Sequence, residues 1–78
     1  MEFKDLPELA RFFIPYGDGT IFKKIHVVHV RCCGYLEKRN AIVMTDSPRR
    51  GEVTGQLTSF LPDQDIELEE NRYLLNGS

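Results

Sequence analysis

Residues 20–33 of this chain read Thr20-Ile-Phe-Lys-Lys-Ile-His-Val-Val-His-Val-Arg-Cys-Cys33, and this stretch decides the fold. Its many β-branched residues favour a β-strand. Ile25 and Val27 alternate with polar neighbours in one phase, whereas Val28 and Val30 alternate in the other. A change of phase inside one run is what a β-bulge or a strong bend produces, so the pattern predicts one long, curved strand.

The segments on either side add a short helix and three more strands. Asp5, Pro7 and Glu8 form a helix-start pattern, and apolar residues at helical spacing predict a helix that ends before Pro15. Turns are predicted where glycine and proline punctuate the chain, over 15–19 and 47–51. The further strands are predicted over 40–46, 52–60 and 72–75, with an acidic loop between the last two.

These elements predict a mainly β fold, namely a small OB-like, partly open barrel of four to five strands with one short N-terminal helix. An SH3-like or Sm-like barrel is the alternative design. The 78 residues are expected to form a single small domain, with the helix and turn in 1–19 and the barrel in 20–78. Four strands leave the OB design one strand short of closure, so we expect the domain to complete itself on something else.

The net charge of −2 conceals an uneven distribution along the chain. The segment 23–50 holds seven basic and two acidic residues, whereas the segment 63–70 holds five acidic residues and no basic one. Such a split indicates a basic surface facing a partner beside an acidic flank, with ordinary solvated loops as the simpler alternative.

The two cysteines indicate an intracellular protein. Cys32 and Cys33 are neighbours, and in a strand they point to opposite faces, so a disulfide between them would be strained. We therefore expect free thiols in the cytosol or nucleus, with the nucleus favoured over a cytoplasmic location. The N-terminus lacks the pattern of a secretory signal, and the apolar runs are too short to span a membrane. No membrane contact is expected.

Little in the sequence indicates an enzyme. The motif His26-x-x-His29-x-x-Cys32-Cys33 contains the residue types that bind zinc, but in a strand its members divide between two faces unless a bulge resets the phase. The chain also lacks a phosphate-binding glycine loop and a metalloprotease helix motif. We expect no catalytic residue, no metal, no cofactor and no small-molecule substrate.

The basic residues, together with two aromatic residues, are the best candidate binding site. Proteins that bind single-stranded nucleic acid combine positive charge with aromatic rings on which bases stack. The candidates for nucleic-acid binding are Lys23, Lys24, Arg31, Tyr35, Lys38, Arg39, Arg49, Arg50 and Phe60. The alternative is that Phe22 and Phe60 fill the core and that Arg49 and Arg50 only solubilise a turn.

Four short segments resemble a known family. They are Val30-Arg-Cys-Cys-Gly34-Tyr-Leu-Glu-Lys38, Ala41-Ile-Val-Met-Thr-Asp46, Gly51-Glu-Val-Thr-Gly-Gln-Leu57 and Asn71-Arg-Tyr-Leu-Leu-Asn-Gly77. Over residues 22–77 the chain is similar to small OB-fold subunits, namely the smallest subunit of replication protein A and the small subunit of the CST telomere-capping complex. The run Asn40-Ala-Ile-Val-Met-Thr-Asp46 also resembles a strand of Sm-like proteins.

The OB-subunit resemblance implies a scaffold role in a single-stranded DNA-binding or telomere-protection complex. Its members hold a larger OB-fold partner and contact single-stranded DNA weakly or not at all. A C-terminal helix contacts the partner in that family, and this chain ends after its last predicted strand. We therefore expect the N-terminal helix and the last strand to contact a larger partner, or a second copy through an open strand edge. The candidates for partner binding are Leu6, Leu9, Phe12, Phe13, Tyr73 and Leu75.

A different class of function is also open. A small protein-interaction or inhibitor module, of the viral or phage type, would bind a host protein through the acidic loop and an open strand edge. It requires no sequence motif, and the short chain and acidic flank suit it.

Overall fold

The computed structural model describes residues 1–45 and 53–70, and it confirms the mainly β fold. One 3-10 helical turn, Phe3–Asp5, lies near the N-terminus. Five strands form one open antiparallel sheet in the order β4-β3-β2-β1-β5. The strands are β1 (Arg11–Phe13), β2 (Ile21–Cys32), β3 (Tyr35–Val43), β4 (Leu57–Thr58) and β5 (Glu67–Leu68). Consecutive strands β1 to β4 therefore form a meander, and β5 returns to pair with β1.

The core lies on one face of this sheet, where cross-strand pairs bring large side chains together. Phe12 of β1 pairs with Phe22 of β2, which pairs with Val43 of β3, and all three are fully buried. Residues directly opposite in antiparallel strands share a face, so this row forms the floor of the core. Ile66, just before β5, is also buried there.

The N-terminal segment covers that face. Phe3 and Leu6 are buried against the core, and the backbone N–H groups of Phe3 and Lys4 donate to the carbonyls of Gln64 and Pro62. Ile66 N–H in turn donates to the carbonyl of Met1. The N-terminus and the segment before β5 are thus held together by backbone hydrogen bonds, which fixes the 3-10 turn over the sheet.

The predicted irregularity in the long strand is confirmed. Lys24 pairs with Ala41, but the next regular pair of the ladder is Val28 with Arg39. Three residues of β2, numbers 25–27, therefore lie opposite one residue of β3, Asn40. A bulge of this kind bends the strand and increases its twist. The β2–β3 ladder is divided at this point into a basal part and a distal part.

The hairpin that joins β2 to β3 is tighter than the sequence indicated. β3 begins at Tyr35, so residues 35–39, which lay between the predicted strands 20–33 and 40–46, belong to it. Cys33 and Gly34 alone form the turn, and both have positive φ, at 54° and 87°. Two central residues with positive φ are the signature of a type I′ turn, whose twist matches that of the flanking strands.

The predicted N-terminal helix is much shorter than expected. Residues 3–5 form the only helical turn of this segment, whereas Arg11–Phe13 form β1. An isolated helix of this length is marginal in water, and the backbone of Leu9 and Ala10 bonds with that of Lys24 instead. Strand pairing buries Phe12 completely, and this tertiary contact overrides the local helical pattern.

The remaining boundaries also differ from the predictions. The turn at residues 15–19 is present, and Thr20 donates from both its N–H and its hydroxyl to Oδ1 of Asp18. β4 covers only Leu57–Thr58 of the predicted strand, and β5 lies inside the predicted acidic loop. Five strands are therefore described, within the predicted four to five, although their positions differ. The predicted turn at 47–51 and strand at 72–75 lie outside the described residues.

Candidate functional site

A cavity of about 460 Å³ opens between the base of the β2–β3 hairpin and the N-terminal turn. We call it the three-lysine pocket because lysines from three different elements line it. None of the lining residues that the structure describes is acidic. Its apolar walls come from the core aromatics and from the bulge of β2. The lining residues are Phe3, Lys4, Lys24, Val27, Lys38, Asn40, Ser59, Phe60 and Pro62.

Lys24 is held in place at the back of the pocket. Its Nζ donates to the carbonyl oxygen of Leu6 at 2.6 Å and to that of Phe3 at 3.1 Å. The same Nζ lies 4.8 Å from the centre of the Phe3 ring, within the range of a cation–π contact. Lys24 therefore fixes the 3-10 turn and supplies a positive charge that cannot swing into solvent.

Phe60 is positioned by an unusual side-chain contact. Nδ2 of Asn40 donates to the Phe60 carbonyl at 2.9 Å, and the Phe60 N–H donates to Oδ1 of Asn40 at 2.8 Å. The Asn40 amide thus replaces a peptide group and extends the β3–β4 pairing beyond Thr58. The Phe60 ring stacks on Phe3, with 5.6 Å between the ring centres and 27° between the planes.

The other two lysines lie at the rim of the pocket. Lys38 projects from β3 and is exposed, and the described residues offer it no ion-pair partner. Lys4 lies on the opposite rim, 58% exposed, with its Nζ 3.9 Å from Oε1 of Glu2. An exposed pair at this distance is worth little, so both rim lysines can turn towards an anion.

The predicted nucleic-acid residues fall into separate groups. Lys24, Lys38 and Phe60 line the pocket, whereas Arg31, Tyr35 and Arg39 lie on the distal hairpin. Lys23 pairs with Arg11 and Ile42 and faces the other side of the sheet from the core. Arg49 and Arg50 lie outside the described residues. The described members of the predicted set are therefore divided between the pocket, the distal hairpin and the face of the sheet away from the core.

Two of these residues have different surroundings from those expected. Phe60 packs against Phe12 and Phe22 with ring centres 5.4 and 4.9 Å away, in addition to Phe3, so it is a wall of the core rather than an open stacking platform. The guanidinium of Arg39 is paired with the Glu37 carboxylate on the same face of β3. Its charge is therefore partly neutralised.

The expectation that the N-terminal apolar residues bind a partner needs correction. Leu6 and Phe12 are buried in the core, at 4% and 0% exposure, because the segment is a turn and a strand instead of an amphipathic helix. Phe13 is half-buried, and Leu9 is 63% exposed, so of these four only Leu9 offers most of its side chain to solvent. Tyr73 and Leu75 lie outside the described residues.

The histidine and cysteine motif of β2 is dispersed. Nδ1 of His26 lies 3.3 Å from Oε1 of Glu8, with both side chains largely exposed. His29 lies on the distal hairpin and Cys33 in its turn. Within residues 1–45 and 53–70, no group of three or more His, Cys, Asp or Glu side chains is close enough to hold a metal ion.

Several pocket residues carried no signal in the sequence. Lys4 and Phe3 lie twenty or more positions from their neighbours in the pocket, and only the strand pairing brings them there. Asn40 was expected at a strand start, where its role in holding Phe60 could not be inferred. In the sequence, only its position directly before an apolar run hinted that its side-chain amide takes part in the hydrogen bonding of the sheet.

The distal part of the β2–β3 hairpin is a second notable surface. We call residues 27–39 the arm. The molecule measures 49 × 28 × 18 Å along its principal axes, so it is clearly elongated. The arm carries four exposed large apolar side chains, those of Val27, Val28, Tyr35 and Leu36. Such residues on a two-stranded ribbon have no core to face.

No protein-family model, curated protein or solved structure matches this chain. Among the described residues, no helix has the length and apolar character needed to cross a membrane.

Proposed function

We propose that this protein is a non-enzymatic subunit that binds single-stranded nucleic acid at the three-lysine pocket, within a complex that contains a larger protein partner. The observation that carries the proposal is the placement of Lys4, Lys24 and Lys38 around an apolar wall, without an acidic residue in the lining. Lysine ammonium groups bind phosphates, and apolar or aromatic walls accept bases. The pocket combines both.

Each pocket residue would make a different contact to a bound nucleotide. Lys38 and Lys4, on opposite rims, would contact phosphates of a strand that passes between them. Lys24 would add a fixed positive charge from behind, since its own hydrogen bonds hold it against the N-terminal turn. Phe60 and Val27 would supply apolar contact to a base or sugar. The exposed ring of Tyr35, further along the arm, is available for stacking.

The resemblance to small OB-fold subunits supplies the setting of this proposal. It implies a larger OB-fold partner and a nuclear complex that binds single-stranded DNA or protects telomeres. The SH3-like or Sm-like barrel remains the alternative design, and RNA remains the alternative ligand to DNA.

The proposal is tested by titrating a fluorescently labelled oligothymidylate of about 12 nucleotides, within the usual site size of such domains, and measuring anisotropy. We expect binding at low salt that weakens steeply as salt rises, because phosphate contacts release counterions. Lys38→Glu should weaken binding about tenfold or more, and Lys38→Gln should lower the salt slope by about one.

Lys23→Glu is the matched control, because it makes the same change of charge on the same sheet at a lysine that does not line the pocket. We expect it to change affinity by less than about threefold, since it alters only screened charge outside the pocket. The proposal fails if the wild-type protein does not bind at low salt, or if the Lys23 and Lys38 variants lose affinity equally.

A second candidate function is the protein-interaction module. The exposed apolar residues of the arm favour it, because apolar side chains clustered on a surface mark protein contacts. The acidic segment 63–70 would then contribute a second contact. This candidate requires no nucleic acid, so the oligonucleotide titration separates the two.

A further inference from the structure

Hydrogen bonds join the walls of the three-lysine pocket to one another. The N–H of Lys4 donates to the carbonyl of Pro62, which joins the N-terminal turn to the segment before β5. The amide of Asn40 joins β3 to Phe60, and Lys24 joins β2 to the N-terminal turn. Because β2 and β3 are neighbours in the sheet, these bonds connect all four walls. The volume of about 460 Å³ suits one small ligand group better than a long stretch of strand.

The positive charge of Lys24 has only neutral partners among the described residues. Lys24 is half-buried, and none of the ion pairs within residues 1–45 and 53–70 includes it. Its Nζ contacts two backbone carbonyls and the ring of Phe3. An ammonium group has three N–H donors, and the carbonyls use two of them. A charge that is partly removed from water is stabilised by an opposite charge, so an anion in the pocket would complete the surroundings of Lys24.

The charge of the pocket suits one kind of phosphate in a nucleic acid. Three lysines line the cavity, one each from the N-terminal turn, β2 and β3, and none of the described lining residues is acidic. An internal phosphate of a strand carries one negative charge, whereas a terminal phosphomonoester carries about 1.5 to 2 at pH 7. The terminal phosphate is therefore the better match for three ammonium groups. It also lies at the end of a chain, which a small cavity with connected walls can admit.

From these observations we propose that the three-lysine pocket binds the phosphorylated end of a single-stranded nucleic acid. The terminal phosphate would contact Nζ of Lys24 at the back of the pocket, and the strand would leave between Lys4 and Lys38 at the rim. The last sugar or base would pack against Phe60 and Val27. Binding of nucleic acid in this pocket is the proposed function, on which this inference rests, and the terminal phosphate specifies which part of the strand enters.

The experiment compares three oligothymidylates of about 12 nucleotides, labelled on an internal base, by fluorescence anisotropy at fixed salt. One carries a 5′-phosphate, one a 3′-phosphate, and one hydroxyl groups at both ends. We expect one of the two phosphorylated ends to raise the affinity about tenfold or more, because its charge meets a preformed set of ammonium groups. Which end does so identifies the direction in which the strand enters.

A longer strand controls for total charge. An oligothymidylate two nucleotides longer, with hydroxyl groups at both ends, gains two internal phosphates and therefore at least as much negative charge as a terminal phosphate adds. We expect its affinity to stay within about twofold of that of the shorter hydroxyl-ended strand, since the added charge is not at an end.

Variants of the lysines locate the effect. Lys24→Met should reduce the preference for the phosphorylated end to less than about twofold, because it removes the charge at the back of the pocket. Lys23→Met, at the neighbouring lysine that does not line the pocket, should keep the preference. Circular dichroism checks that each variant is folded. If Lys24→Met is unfolded, Lys4→Met takes its place, and this change at an exposed rim lysine should lower the preference at least about threefold.

Three results would overturn the proposal. They are equal binding of the three shorter strands, equal binding of the longer strand and the phosphorylated ones, and a loss of preference in Lys23→Met that matches the loss in the pocket variant. Equal binding of the three shorter strands leaves the proposed function standing, because a strand then binds by its internal phosphates. Failure of every oligonucleotide to bind at low salt removes both.

Discussion

Lys24 shows how a residue's role depends on its hydrogen-bond partners. The sequence places Lys23 and Lys24 side by side in a basic run, and both were expected to face nucleic acid. The structure divides them between the two faces of β2. Lys24 bonds to two backbone carbonyls under the Phe3 ring, whereas Lys23 faces away from the core, next to Arg11.

This difference predicts unequal effects on stability. Lys24→Met keeps the length of the side chain but removes two hydrogen bonds from an ammonium group, so it should lower the free energy of unfolding by about 2 kcal/mol. Lys23→Met should change it by less than about 0.5 kcal/mol, because Lys23 is half-buried away from the core and the described residues give its ammonium group no hydrogen bond. Urea denaturation followed by circular dichroism measures both. Equal losses would contradict the anchoring role of Lys24.

At the candidate site, the sequence predicted several of the residue types that line the pocket, but not which residues lie close together. Lys24, Lys38 and Phe60 were predicted from composition, since basic and aromatic residues are what a nucleic-acid site requires. Lys4 and Asn40 could not be predicted, because their proximity depends on the N-terminal turn folding over the sheet. Residue type is local information, whereas a pocket is a property of long-range pairing.

At the scale of single elements, β2 was the most predictable and β1 the least. The phase change at residues 27 and 28 located the bulge correctly, because alternation along a strand directly records its faces. β1 was not predicted, because the apolar residues in 6–13 recur at a spacing that fits a helix as well as it fits the observed sheet. Three residues are too few for a strand pattern to be recognised, so only pairing with Phe22 and Leu68 reveals it.

The turn of the β2–β3 hairpin provides a prediction at this scale. Cys33 adopts φ = 54°, a conformation that costs a residue with a Cβ about 1 kcal/mol and that asparagine tolerates better. Asn-Gly is the preferred pair in type I′ turns. Cys33→Asn should therefore raise the free energy of unfolding by about 0.5–1 kcal/mol, measured by urea denaturation in reducing buffer.

Cys33→Val is the opposing variant for the same turn. A β-branched residue is strongly disfavoured at positive φ, so this substitution should lower stability instead. If both variants changed stability in the same direction, the turn would not have the conformation described.

For the whole molecule, the decisive feature is a core that rests on four phenylalanines. Phe3, Phe12, Phe22 and Phe60 pack with ring centres 4.9 to 5.6 Å apart, in stacked and edge-on arrangements. A domain of this size has a core that supplies only about 3–5 kcal/mol of net stability. Loss of any one ring is therefore comparable to the stability of the entire domain.

Phe12→Ala should unfold the protein. Deleting a fully buried phenylalanine costs about 3–5 kcal/mol, which equals the whole stability expected here. Amide NMR spectra should lose their dispersion in this variant. Leu9→Ala, three residues earlier and largely exposed, should retain a folded spectrum. A folded Phe12 variant would restore the idea that this side chain serves a partner instead of the core.

The distribution of aromatic residues has a spectroscopic consequence. The chain contains no tryptophan, and the rings that form the core are phenylalanines, which emit very weakly. The two tyrosines among the described residues are both exposed, Tyr16 in a loop and Tyr35 on the arm. Intrinsic fluorescence from the described residues therefore reports mainly on the two exposed tyrosines and hardly at all on the core. Tyr35 is therefore a natural reporter for binding at the arm.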